Sequence, residues 1–116
     1  LGGGIAAVKL SDGSRPWTAK IAATGPGNPA ATSAIPGVVF TATSDGILRA
    51  LSTADGQALW QYNTAQAHET VNGVAARGGN IGQAGATIAG GMIFIGSGYG
   101  TGNTGFGNVL LAFGPE

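Results

Sequence analysis

The chain has two tryptophans, and each closes the same eleven-residue phrase. Residues 7–17 read AVKLSDGSRPW and residues 50–60 read ALSTADGQALW. At a spacing of 43 positions, Ala7 falls on Ala50, Asp12 on Asp55, Gly13 on Gly56 and Trp17 on Trp60. A third, partial copy runs through NVLLAF near the end and sets Ala112 beside Ala50 and Ala7. Few architectures tolerate a repeat of that length.

The segments between the repeat marks read as short strands. They are IAAVKL (5–10), PWTAKIA (16–22), GVVFTAT (37–43), ILRALS (47–52), QALWQYNT (57–64), GMIFIGSGY (91–99) and NVLLAFG (108–114). Asp-Gly steps at 12–13, 45–46 and 55–56 mark tight hairpin turns, because such turns require positive φ and Asp-Gly tolerates it. No segment has a sustained helical period. The nearest candidate, 64–76, is broken by VNG at 71–73, where Gly73 costs about 1 kcal/mol in a helix interior. Four short strands repeating every 40–50 residues are the mark of β-propeller blades. A blade buries its faces only against its neighbours. A flat ring at one fixed place can fill the gap, with the indole N–H pairing to a carbonyl across it. Trp17 and Trp60 are therefore expected at blade–blade contacts.

Composition supports this fold class and narrows the function. Glycine supplies 23 of 116 residues and charged side chains only 9%, with a formal net charge of zero. With 43% hydrophobic residues there is enough to bury, which argues against disorder. Neutrality leaves no electrostatic footprint for nucleic acid. No apolar run approaches the roughly 20 residues of a membrane-spanning helix. There is no cysteine, hence no disulfide, thiolate metal site or cysteine nucleophile.

The phrase A-x4-D-G-x3-W resembles the tryptophan-docking motif of the quinoprotein dehydrogenase propellers. The last 45 or so residues, ETVNGVAARGGNIGQAGATIAGGMIFIGSGYGTGNTGFGNVLLAF, resemble the C-terminal end of the polyvinyl-alcohol-dehydrogenase-like branch. The Trp phrase is shared with many non-enzymatic propellers; the tail is the more specific part. The resemblance implies an all-β fold: a partial β-propeller of about two and a quarter four-stranded antiparallel blades. Residues 1–22 would end one blade, 23–64 would form a complete blade, and 65–116 would form a last blade lacking its outer strand. It further implies a chain that begins inside a longer periplasmic or secreted protein. Its partners would be the rest of its own ring or copies of itself, with a cytochrome c as electron acceptor. Pyrroloquinoline quinone (PQQ) and calcium are the cofactors implied for the whole ring.

The residues offer little chemistry of their own. The carboxylates are Asp12, Asp45, Asp55, Glu69 and Glu116. Three belong to turns, one ends the chain, and Glu69 stands beside His68, the sole histidine, in AHETVNG. Neighbours on an extended strand point to opposite faces and do not converge, so this pair reads as a solvated loop. No metal-ligand cluster is spelled out, and the catalytic base is expected outside this segment. The inner strands would begin near 28–33 and 78–85, where small and amide residues leave room for a central ligand. Asn28, Thr32, Asn80 and Gln83 are the candidate cofactor-facing residues there. Two functions remain open: part of a PQQ-dependent alcohol dehydrogenase, or a non-catalytic propeller acting as scaffold or assembly factor.

Overall fold

The computed structural model describes residues 3–22, 27, 29–100 and 105–116. Among these there are eleven strands and no helix. β1 (Gly3–Ala6) and β2 (Thr18–Ile21) form a two-stranded sheet. β3 (Ser33–Ile35), β4 (Val38–Ala42), β5 (Ile47–Ser52) and β6 (Ala58–Asn63) follow one another across a four-stranded sheet. β7 (Ala67–His68) and β8 (Ala76–Arg77) make a small hairpin of their own. β9 (Thr87–Ala89), β10 (Met92–Ser97) and β11 (Val109–Phe113) make a three-stranded sheet. Every pairing is antiparallel between chain neighbours. The chain is a partial β-propeller.

Period-two alternation decides which side chains meet. Phe40 pairs with Ala50 and Ala42 with Leu48 across β4 and β5, so all four share one face of the four-stranded sheet. That face carries the core: Phe40, Ala42, Leu48 and Ala50 cluster with Ala30, Ile81, Ala86 and Ile95, and Ile88, Ile93, Leu111 and Phe113 pack against them. The core therefore lies between the four-stranded and three-stranded sheets. These two sheets touch at the edges formed by β3 and β9. There Ser33 Oγ donates to the Ala86 carbonyl, and the Ala31 N–H donates to the Gln83 carbonyl at 3.0 Å.

Trp17 lies at a sheet–sheet contact. Its indole N–H donates to the Thr53 carbonyl at 2.8 Å, 36 residues away in the β5–β6 turn. A Cβ at Gly56 would run into the face of the ring, and Gly56 also has φ +75°. One residue thus supplies both the turn and the flat seat on which the indole rests. Trp60 is less enclosed. It stacks on Tyr62 with centroids 6.1 Å apart and meets the edge of Phe113, in the three-stranded sheet, at 5.2 Å. It remains 38% exposed beside an apolar gap of about 670 Å³ that Pro115 also lines.

The inner strands start later than the sequence indicates. β3 begins at Ser33 and β9 at Thr87 because residues 29–31 and 80–86 pack and hydrogen-bond against each other instead of extending the ladders. Near the start, β1 ends at Ala6, not Leu10. Beyond it, Ala7 N–H still bonds to the Trp17 carbonyl and Lys9 N–H to the Ser14 carbonyl.

Candidate functional site

Antiparallel order gives each sheet two ends. The turns at 36–37 and 53–57 share one end, joined by the Thr53 N–H on the Gly37 carbonyl at 3.0 Å. The other end gathers residue 27, residues 43–46, residues 64–66, residues 77–86 and the β10–β11 loop. There Ser44 N–H meets the Gly27 carbonyl at 3.5 Å, Thr64 N–H the Gly46 carbonyl at 2.8 Å, and Asn80 N–H the Gly105 carbonyl at 2.8 Å. This loop-rich end collects Thr32, Asn80 and Gln83, so it is the candidate site.

A buried hydroxyl pair holds the end together. Thr64 and Ser97 are both 0% exposed. Thr64 Oγ1 donates to the Gly46 carbonyl at 2.7 Å and lies 2.7 Å from Ser97 Oγ. Ser97 Oγ in turn accepts the Gly79 N–H at 2.9 Å. Its single proton serves Thr64 or the Gly79 carbonyl at 3.0 Å. Buried hydroxyls and amides persist only when paired, and here they tie three loops into one unit. Glycine is required by the close approach: a Cβ on Gly78 would overlap the Thr64 carbonyl and one on Gly79 the Gly105 carbonyl.

The four candidates separate. Asn28 lies outside the described residues. Asn80 is 3% exposed, and its Oδ1 accepts the Gly100 N–H at 2.9 Å. Its backbone carbonyl takes the Gly98 N–H at 2.8 Å, so Asn80 braces the β10–β11 loop from beneath. Thr32 and Gln83 are both exposed, and the Ala31–Gln83 bond brings their segments side by side at the β3/β9 edge. Of the three described candidates, these two side chains are the ones exposed to a ligand.

Sequence reasoning passed over Arg49. Its Nη1 donates to Thr43 Oγ1 at 2.9 Å, and Thr43 Oγ1 donates to the Asp45 carboxylate. Its Nη2 lies 3.5 Å from the Ala22 carbonyl, beyond the end of β2. The T-x-D-G-x-x-R spacing over 43–49 was the available signal, since β-strand alternation and a tight turn bring those three side chains together. Asp45 is therefore committed within its own turn. His68 Nε2–H donates to the Thr64 carbonyl at 3.0 Å, its ring 6.2 Å from Tyr62, while Glu69 is exposed.

This donor set does not fit calcium. A calcium site wants six to eight oxygens, carboxylates among them, and among the described residues no three His, Asp or Glu side chains converge. The end offers amides, hydroxyls and backbone groups to a ligand.

Comparison with known proteins bears on what such an end serves. Residues 1–112 match the PQQ_2 family, described as outer membrane protein assembly factor BamB. A polyvinylalcohol dehydrogenase from Pseudomonas sp. is 42% identical over 128 residues, covering 95% of this chain and 20% of that protein. A polyvinylalcohol dehydrogenase from Sphingopyxis sp. (strain 113P3) is 46% identical over 70 residues, covering 60% of this chain and 11% of that protein. The chain thus spans a fifth or less of the length of these relatives.

Proposed function

The chain belongs to the PQQ_2 family of propellers, and from that premise we propose that it forms the C-terminal blades of a PQQ-dependent alcohol dehydrogenase. The substrate class is a hydroxyl-bearing polymer or a small secondary alcohol. The observation that carries the reading is the 42% identity running through 95% of the chain. Within the ring, the Trp phrase acts as a docking repeat between blades. The protein works outside the cytoplasm and passes electrons to a cytochrome c.

PQQ supplies the hydride acceptor in such enzymes, and this segment contributes surroundings to it. Thr32 and Gln83 are exposed at the β3/β9 edge and are the contacts we assign. Asn80 acts behind them by bracing the β10–β11 loop. The calcium ligands and the catalytic base are assigned to other blades.

A second reading is favoured by the family's own description, which names an assembly factor. Dye-linked alcohol oxidation by the full-length protein, loaded with PQQ and calcium, separates the two. The dehydrogenase reading expects turnover by the full-length protein and none by residues 1–116 alone. A full-length protein that neither binds PQQ nor oxidises any alcohol belongs to the assembly reading.

A further inference from the structure

The spacing from the second copy to the third is longer than that from the first to the second. Ala112 follows Ala50 by 62 positions, whereas Ala50 follows Ala7 by 43. Much of the excess lies between β6 and β9, where the chain adds the β7–β8 hairpin to the four-strand plan; the rest lengthens the connection from β10 to β11. Its root sits at the loop-rich end. Gly78 N–H bonds to the Gln66 carbonyl at 2.9 Å, and Asn108 ties it to the last sheet through its N–H on the Arg77 carbonyl at 2.9 Å and its Oδ1 on the Arg77 N–H at 3.1 Å.

The hairpin tip is ordered by its own bonds. Thr70 Oγ1 contacts Asn72 Oδ1 and the Val74 carbonyl, both at 2.6 Å, and Val74 N–H donates to Asn72 Oδ1 at 3.2 Å. On this built turn, Val71 is fully exposed and Val74 is 60% exposed. Beside them is a cleft of about 390 Å³ lined by His68, Glu69, Thr70, Gly73, Val74 and Ala75. An imidazole, a carboxylate and a hydroxyl therefore share one concavity with apolar carbon. The neighbouring loop adds an exposed Phe106. Between Arg77 and Glu116 the sequence carries no charged residue, and on the hairpin itself the charged side chains are Glu69 and Arg77.

We propose that the β7–β8 hairpin is a binding subsite for a stretch of an uncharged, hydroxyl-bearing polymer lying away from the reacting unit. The inference rests on the alcohol-oxidising reading above and adds the substrate's length to it. A polymer of alternating methylene and hydroxyl-bearing carbons presents both surfaces that the hairpin matches. Methylenes lie on Val71 and Val74, while hydroxyls bond to His68, Glu69 and Thr70. A short alcohol reaches only the reacting centre and does not touch the hairpin.

The test uses the full-length protein with Val71→Asp and Val74→Asp combined, both exposed positions that folding does not require. Long-chain polyvinyl alcohol and 2,4-pentanediol are compared as substrates. Retention of the unloaded protein on a cross-linked polyvinyl alcohol gel gives a readout independent of turnover. The subsite expects a rise in KM of about tenfold for the polymer, unchanged kcat/KM for the diol, and loss of retention. Equal effects on both substrates, or unchanged retention, overturns it. If neither substrate is oxidised, the dehydrogenase reading fails, and retention alone decides the subsite.

Discussion

Trp17 and Gly56 form the contact that defines how one sheet meets the next. The indole contributes apolar area and one directed bond, and substitution separates the two. Trp17→Phe keeps most of the area but loses the bond to the Thr53 carbonyl, which is expected to cost about 1 kcal/mol. Trp17→Ala loses both, about 3 kcal/mol. Gly56→Ala should approach the larger value, since a Cβ there both strains a positive φ and strikes the ring. Denaturation midpoints of the three variants in the full-length protein give the ranking; a harmless Gly56→Ala would remove the seat from the account. Asp12 serves a smaller turn. Its side chain takes the Ser14 N–H at 2.9 Å, and hydrogen bonds from the Ser14 side chain and backbone hold its carboxyl below the ordinary aspartate value. The bonded form is the ionised one, so its stabilisation is present above the unfolded pKa. It is lost as pH falls through the lowered value. A carboxyl titration by NMR should find Asp12 below ordinary aspartate, and a value at or above it would dissolve the turn's role.

Elements differ in how openly they announce themselves. β4, β5, β6, β10 and β11 were legible because each is a short β-rich run delimited by Gly, Pro, Asn or Asp. The β3 and β9 starts were not, since AATS and NIGQAG carry no alternation and their backbone is paired to the neighbouring segment. The β7–β8 hairpin was hidden for a different reason. AHETVNGVAAR mixes polar and apolar residues with no period, and its strands of two residues exist only because Thr64, Gly78 and Asn108 hold their ends. Small surroundings at Asn80 suggest room for a ligand; in the structure the glycines there pack closely, and the amide accepts the Gly100 N–H. Removing the brace tests this. Asn80→Ala should speed hydrogen exchange at the Gly100 amide, while the amides of β4 and β5 keep their protection. Ser97→Ala goes deeper, leaving the buried Gly79 N–H without its acceptor, at about 1–3 kcal/mol. Equal exchange at Gly100 in wild type and Asn80→Ala would mean that the loop supports itself.

For the whole molecule, the decisive strand is β11. Among the described residues it pairs with β10 alone, so its other edge presents free N–H and C=O groups. Proteins that leave such an edge in water usually protect it with lysine, proline, a bulge or brevity. β11 is five residues of Val, Leu, Leu, Ala and Phe with none of these, and Leu110 on it is 69% exposed. Blades also need neighbours to bury their faces. An edge so unprotected is expected to be covered, by the remainder of a ring in the full-length protein and by another copy when residues 1–116 are alone. Sedimentation of the isolated chain at micromolar concentration should therefore give a mass above 11.2 kDa. Leu110→Lys, which places a charge where a second strand would lie, should shift the chain back toward the monomer. The two results belong together: association that ignores Leu110→Lys would come from another surface, such as the apolar gap beside Trp60. A cooperatively folding 11.2 kDa monomer would mean that β11 needs no cover, and would remove the physical reason for assigning this segment to a larger ring.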